Sequence, residues 1–504
     1  MIDADNLHNH VQDKPVRSLI LFALCLMTGG LAISAAVLLG NQSKTVIVVG
    51  ILAMAAIPIT LILWTHKEAA SILVATLAFS IPINIDVNLF YRYHVGGAPS
   101  ITINLTLLLL ALFFLFSIYR YACGQQANVL RFYRPLYWSG LALLALTPMS
   151  LLNAMHPELV WLEWFRLLCL VFAMFATMSL QEEKLIRVWI YVLSLQVLIQ
   201  AGLAGMQYAL KRTLGLDIFG EEALVSKNIG YIATRATGTV GHPNVLSYFF
   251  EILVPIMLAL ALTKQPGPAR LWFSLVFVAG LAGVLTTLSR GSWLTFPFSL
   301  SIVFIFVYGR RIVRTKAMVM AFFLGCVLIS ALYFALPVIE KRFTHTDYKS
   351  SGSRMPLNRA AVSIIEKYPI FGIGLNNFAE SFKRHDETGL SRIFKGYQHV
   401  VHNLHLWIMA ETGIVGLLAY LAPFFITMRI AWKIGPRSPP VPRAILVGIA
   451  AGLLAHLAHG MVDPGFRVSV TISFLVFTLM GISGALAIKY SPSAKSNRGA
   501  KLVN

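Results

Sequence analysis

Long apolar runs separated by polar segments dominate the pattern along the chain. Runs of roughly 17–25 apolar residues are long enough to cross a bilayer as α-helices, and in lipid only helices and closed barrels satisfy every backbone hydrogen bond. The pattern therefore predicts an all-α polytopic membrane protein with about 12–14 transmembrane helices. The predicted spans cover residues 18–39, 45–64, 68–84, 101–119, 136–152, 159–180, 188–209, 245–263, 271–288, 292–307, 317–338, 403–428, 444–459 and 468–488.

Polar segments divide these spans into five regions. The predicted regions are the N-terminal transmembrane helices (1–209), further helices with a polar loop and a short turn (210–338), a large helical loop (339–402), the last three helices (403–488) and a polar tail (489–504).

The composition agrees with this class, because 57% of the 504 residues are hydrophobic and only 12% are charged. Soluble domains carry about 25% charged residues. A net charge of +20 would suggest a nucleic-acid partner for a soluble protein. In a membrane protein, lysines and arginines instead set the topology and contact anionic lipids. We therefore expect contacts with membrane lipids and none with nucleic acid.

The distribution of positive charge predicts the orientation. With the N-terminus inside, the inner segments hold 22 of the 41 lysines and arginines, and the short outer loops hold 4. Cytoplasmic loops carry such an excess. Both long loops, about 210–244 and 339–402, and the turn at 289–291 are then expected on the outer face, away from cytoplasmic ATP and nucleotide sugars.

The segment R-A-T-G-T-V-G-H-P-N at residues 235–244 is the first candidate for chemistry. Pro243 suits the first turn of a helix, so Arg235 and His242 are expected near a helix N-terminus, which favours anions. The alternative interpretation is a loop that only enters the helix, with Arg235 solvated.

Arg290 lies in the second candidate, S-R-G at 289–291, in a very short turn between two apolar helices. An arginine near bilayer depth costs several kcal/mol unless it is paired or hydrated. It either extends to outer headgroups or lines a cavity as a fixed cation, whose planar fork matches phosphate oxygens.

The large loop carries the third candidate. Arg354 begins an amphipathic stretch with apolar residues at helical spacing, which ends at Y-P-I-F-G-I-G-L-N-N-F, residues 368–378. Pro369 and the glycines of this motif indicate a tight turn after the helix. We expect the apolar face to lie on the membrane or to cap the helix bundle.

The fourth candidate, H-N-L-H-L-W-I-M-A-E-T-G, opens the span that follows the loop. His402 and His405 share a helix face, and histidine readily exchanges a proton near neutral pH. With Asn403 beside them, they favour a functional site over an interfacial histidine. Glu411 is expected deeper, bracing a neighbouring element.

Other charged residues have structural interpretations by default. Glu163 with Arg166, and Asp463 with Arg467, are spaced as self-neutralising pairs, although each pair is also a possible cavity lining. The remaining histidines that we interpret as surface residues are His10, His94 and His156. No pattern of metal-ligand spacing occurs in the sequence.

Taken in order, these four segments resemble the O-antigen ligase and O-antigen polymerase superfamily of membrane glycosyltransferases. The resemblance covers roughly residues 235–430. It implies a bacterial inner-membrane enzyme of lipopolysaccharide or polysaccharide biosynthesis, with its active site on the periplasmic face. Such enzymes take a glycan from undecaprenyl pyrophosphate and transfer it to an acceptor hydroxyl.

The resemblance also implies roles for individual residues. His402 takes the place of the essential histidine, and Arg235, Arg290 and Arg354 take the places of arginines that hold the pyrophosphate. No metal or other cofactor is implied. The possible supporting residues are His405, Asn403, His242 and Arg166.

The acceptor stays open among three kinds: a lipid A core in a ligase, which we favour, a growing glycan in a polymerase, or a protein in an O-oligosaccharyltransferase. A lipid-linked glycan flippase is the alternative from another class. Transporters tend to place their key polar groups near the bilayer midplane on repeated halves, whereas these candidates cluster at the outer surface.

Overall fold

The computed structural model describes residues 68–83, 85–124, 130–228, 232–308, 354–386, 389 and 400–491. Within this part of the chain, ten helices are long and apolar enough to cross a membrane. This confirms the all-α polytopic membrane fold. The predicted spans 18–39, 45–64 and 317–338 lie outside the described residues, as do His10 and much of the large loop.

The described elements follow the predicted order, and every predicted span in this part of the chain overlaps one helix. In chain order the helices are α1 (Ala69–Ser80), α2 (Leu105–Ala122), α3 (Arg134–Leu146), α4 (Pro157–Met178), α5 (Glu183–Leu210), α6 (Pro243–Ala261), α7 (Gly267–Thr286), α8 (Arg290–Tyr308), α9 (Arg354–Lys367), α10 (Phe378–His385), α11 (Leu404–Lys433), α12 (Pro440–His459), α13 (Gly465–Val468) and α14 (Val470–Tyr490). Two antiparallel hairpins, β1 (Asp86–Leu89) with β2 (Ile101–Asn104) and β3 (Val225–Asn228) with β4 (Ile232–Arg235), precede α2 and α6.

Helices α6 and α14 form the centre of the bundle, and nearly all their side chains are buried. Helix α12 crosses α6 closely because two of its glycines, four residues apart, face the α6 backbone. A Cβ atom on Gly448 would lie 2.4 Å from Ile256 Cα, and one on Gly452 would lie 2.4 Å from Ile252 O. Small residues at this spacing let transmembrane helices approach one another. The contact fixes α12 against α6.

Helix α11 is interrupted at Gly413, which has a φ of 65°. The turn after α9 docks against this kink through four backbone hydrogen bonds, which join residues 369–374 of the turn to residues 410–415 of α11. Ile414 N donates to Pro369 O at 2.9 Å, and Gly374 N donates to Glu411 O at 3.0 Å. The large loop is therefore attached to α11 by main-chain contacts.

The buried face of α9 packs on α11, as its amphipathic pattern predicts. Leu357, Ala361 and Ile364 form a small apolar cluster with Phe378 of α10 and Trp407 of α11. Of the two expectations for this face, the described contacts agree with the cap on the helix bundle.

The surface interpretation of His94 is wrong. The segment between β1 and β2 carries this side chain to a buried position, where Nε2 lies 2.9 Å from Asn376 Oδ1. Asn376 Nδ2 also donates to Ala98 O at 2.9 Å. The β1–β2 hairpin thus binds the N-N-F turn of the large loop, a long-range contact that the sequence pattern does not reveal.

Candidate active site

A cavity of about 600 Å³ brings the sequence candidates together. Its lining comes from the starts of α6, α8 and α9, the residues before α11, and the turn after α12. Its charged and histidine side chains are Asp86, Glu222, Arg235, His242, Arg290, Arg354, His402, His459 and Asp463.

Arg235 is buried at the cavity wall and held by two neighbouring segments. Its Nε donates to Thr287 O at 2.9 Å, and its Nη2 donates to Asn244 Oδ1 at 2.6 Å. The first contact ties it to the turn before α8, and the second ties it to the first turn of α6. The guanidinium is therefore positioned before any ligand arrives.

Arg290 and Arg354 stand at the first described residues of α8 and α9. The residues before Arg290 turn sharply, with a φ of 50° at Leu288. The Nε atom of Arg354 is buried and has no hydrogen-bond partner among the described residues. Helix N-termini favour anions, so these ends and the guanidinium groups attract negative charge to the same cavity.

His402 lines the cavity just before α11 begins, and its Nδ1 has no hydrogen-bond partner in the described ranges. Burial lowers the pKa of His402 below its ordinary value, and the positive charge of Arg354 lowers it further. The negative charge of Asp463 opposes both effects. A histidine with a lowered pKa is neutral near pH 7 and is able to accept a proton.

Asp463 faces the cavity, and its expected pairing with Arg467 is wrong. The Asp463 carboxylate accepts a hydrogen bond from Asn244 Nδ2 at 2.6 Å, which extends the chain of contacts from Arg235. Arg467 instead forms a buried ion pair with Glu411 at 2.5 Å. The two residues separate because α13 begins only at Gly465, after Asp463.

His459 is a third cavity histidine, and the sequence pattern did not single it out. Its Nδ1 lies 2.7 Å from Glu251 Oε2, and both side chains are buried. The only sequence signal is its place at the end of an apolar run, four residues before Asp463. Histidines at such a place are also common at membrane interfaces, so the signal is weak.

Comparison with protein-family models matches residues 275–421 to the family described as O-Antigen ligase. Residues 275–421 are therefore similar to the O-antigen ligase family, and this match supports the O-antigen ligase superfamily. A search of curated proteins found no match. The matched segment contains Arg290, Arg354 and His402, whereas Arg235 lies before it and Asp463 after it. The cavity is therefore lined by residues of the matched segment, 275–421, and by residues before and after it.

The possible supporting residues predicted from the sequence occupy different environments. His242 lines the cavity and caps α6, because its Nδ1 accepts from Asn244 N at 3.1 Å. Asn403 caps α11 by accepting from the backbone N–H groups of residues 405 and 406. His405 Nε2 lies 2.9 Å from Leu457 O of α12, and His405 is not part of the cavity lining.

Arg166, the fourth supporting candidate, is buried on α4 away from the cavity lining. It pairs with Glu163, as the spacing predicts, and its Nη1 donates to Arg467 O at 2.5 Å. Glu411 braces the same region by accepting from the backbone N–H groups of Asn376 and Phe378. This buried charge network joins α4, α11, α13 and the large loop.

Two further carboxylates, Asp86 and Glu222, line the cavity. Burial raises the pKa of both groups above their ordinary values. The structure describes no group of three or more histidine, cysteine or carboxylate side chains placed to hold a metal ion. The expectation of a metal-free site stays a prediction.

Proposed function

We propose that the protein transfers a glycan from undecaprenyl pyrophosphate to an acceptor hydroxyl at the periplasmic face of the bacterial inner membrane. The observation that carries this proposal is the meeting of Arg235, Arg290, Arg354 and His402 in one cavity. Four segments that are distant in the sequence supply them, and the family match supports a glycosyltransferase of the ligase or polymerase type.

In the proposed reaction the arginines bind the pyrophosphate of the donor. Negative charge grows on the leaving phosphate oxygen as the anomeric C–O bond breaks, and pre-placed cations in a water-poor cavity stabilise that charge. No metal is needed for this role. Two hydrogen bonds hold the guanidinium of Arg235 in place.

His402 acts in this proposal as the general base. The acceptor hydroxyl attacks the anomeric carbon while His402 takes its proton, and general-base help of this kind is typically worth about 10²–10⁴-fold. Arg354 lowers the pKa of His402, which favours the neutral ring that a base requires. Attack opposite the leaving pyrophosphate inverts the anomeric configuration.

A lipid A core is the acceptor we favour, which would make the activity that of an O-antigen ligase. A growing glycan would make it a polymerase, and a protein hydroxyl would make it an O-oligosaccharyltransferase. The same cavity serves all three reactions, so product analysis is needed to distinguish them.

The test is a glycan gel from cells that lack the protein and receive wild-type or His402→Ala copies. For a ligase, deletion leaves a full polymer ladder on the lipid carrier, and only the wild-type copy moves it to the acceptor. For a polymerase, deletion leaves single repeats on the acceptor. His385→Ala is the matched control, because His385 belongs to the same loop and lies outside the cavity lining. Restoration by His402→Ala would contradict the catalytic role.

A further inference from the structure

The hydrogen bond between His459 and Glu251 orients a histidine ring inside the cavity. His459 closes α12, and its ring stacks on Tyr248 of α6 at 4.1 Å between centroids. Its Nδ1 is 2.7 Å from Glu251 Oε2 and 3.4 Å from Ser292 Oγ. Contacts with α6 and α8 thus fix the plane of the His459 ring and the direction in which its Nδ1 points.

Glu251 is a buried carboxylate inside an apolar transmembrane helix, where a charge is expensive unless it is paired. One oxygen faces His459, and the other accepts a hydrogen bond from Thr295 of α8. A carboxylate held in this way selects the ring orientation of its histidine and stabilises positive charge on it.

The other ring nitrogen, Nε2, lies beside the S-R-G turn. A Cβ atom on Gly291 would lie 2.3 Å from His459 Nε2, so only glycine leaves room for the ring at this place. Gly291 and its neighbour Arg290 both line the cavity. His459 Nε2 therefore lies beside the turn that carries Arg290, one of the arginines proposed to bind the pyrophosphate.

We propose that His459 donates a proton to the departing pyrophosphate and that Glu251 is its positioning residue. This inference rests on the proposed glycosyl transfer. As the anomeric C–O bond breaks, its electron pair moves to the phosphate oxygen, which takes the Nε2 proton. The Nδ1 proton stays in the bond to Glu251. His402 holds the acceptor's proton, and exchange with water restores both histidines.

Several ionisable groups surround His459 and set the pH range over which it keeps its proton. They are Glu251 and Tyr248 on α6, Arg290 on α8, Arg354 on α9, His402 before α11, His456 on α12, and Asp463 in the turn after α12. Loss of the His459 proton as the pH rises gives the basic limb of the pH profile of kcat.

The experiment measures transfer by purified protein across a pH series for wild type, His459→Gln and Glu251→Gln. We expect His459→Gln to lower kcat by about 100-fold or more with little change in KM, because a general acid is lost. Glu251→Gln should move the basic limb to lower pH, because the ring loses the negative charge that stabilises its protonated form.

Thr295→Val provides a second, opposite test. Loss of the Thr295 hydrogen bond leaves more negative charge on Glu251 to stabilise the histidinium, so the basic limb should move to higher pH. This variant keeps both members of the pair and serves if a substitution of Glu251 or His459 fails to fold.

His385→Ala is the control, because His385 lies on α10 and is not part of the cavity lining. It should keep the wild-type kcat and pH profile. If folded Glu251, His459 and Thr295 variants all keep the wild-type profile, the inference is wrong while the transferase assignment stands. If wild type makes no product, the proposed function itself fails.

Discussion

At the scale of single residues, the charge on His402 decides whether it acts as the proposed base. Burial and Arg354 lower its pKa, while Asp463 opposes them. A base is active when neutral, so kcat/KM should fall as the pH drops through the lowered pKa of the free enzyme. The acid limb is therefore expected below about pH 6.5, the ordinary value for histidine.

Two substitutions should move this acid limb in opposite directions. Arg354→Gln removes a positive charge near His402, so the pKa should rise and the limb should shift to higher pH. Asp463→Asn removes a negative charge, so the limb should shift to lower pH. The pH dependence of kcat/KM measures both shifts, and Arg359→Gln, an exposed change on the same helix, is the control. Equal shifts in all three variants would contradict the assignment.

The sequence predicts residue types better than it predicts partners. Arg235, Arg290 and His402 are candidates from the sequence alone because ionisable side chains beside apolar helices are costly unless they are paired or hydrated. The spacing of Asp463 and Arg467 predicts an ion pair between them. This pair does not form, because α13 begins only after Asp463. His94 and Glu251 depend on contacts between segments that are distant in the sequence.

At the scale of elements, the junction between the large loop and α11 sets where Arg354 and His402 lie. Ten of the eleven predicted spans in the described part of the chain correspond to helices long and apolar enough to cross a membrane, because apolar length specifies a transmembrane helix. The predicted span 68–84 contains only the shorter helix α1. The kink at Gly413 was not predicted, because its cause is the docking of residues 369–374 and not a local break signal. The buried ion pair between Glu411 and Arg467 also stabilises this junction.

Gly413→Ala tests this junction. A Cβ atom there would lie 2.1 Å from Ile370 O, and a φ of 65° disfavours any side chain. Strain of this kind costs about 1–3 kcal/mol, so the turn should undock and transfer should fall by about tenfold or more. Limited proteolysis of the large loop should become faster. Gly205→Ala, which meets nothing within 4 Å, is the control, and unchanged proteolysis and transfer in Gly413→Ala would contradict the role.

At the scale of the whole molecule, the position of the cavity favours a transferase over a flippase. The polar candidates gather where several helices begin and not along the middle of the bundle. A transferase needs only its two substrates, whereas a flippase needs two compartments. Purified protein in detergent should therefore form the glycosidic product, as analysed on a gel or by mass spectrometry. Transport of the lipid-linked glycan in liposomes, with no product in detergent, would support the flippase.

The cavity is lined by residues from most of the length of the chain, and this determines when the cavity forms during synthesis. Its residues run from Asp86 to Thr471, so almost the whole chain has to be synthesised and inserted before the site exists. Arg235 and Arg290 are synthesised before His402, and Asp463 is synthesised after it. An incomplete nascent chain therefore lacks part of the cavity wall, and the whole cavity forms only after the residues up to Thr471 have been synthesised.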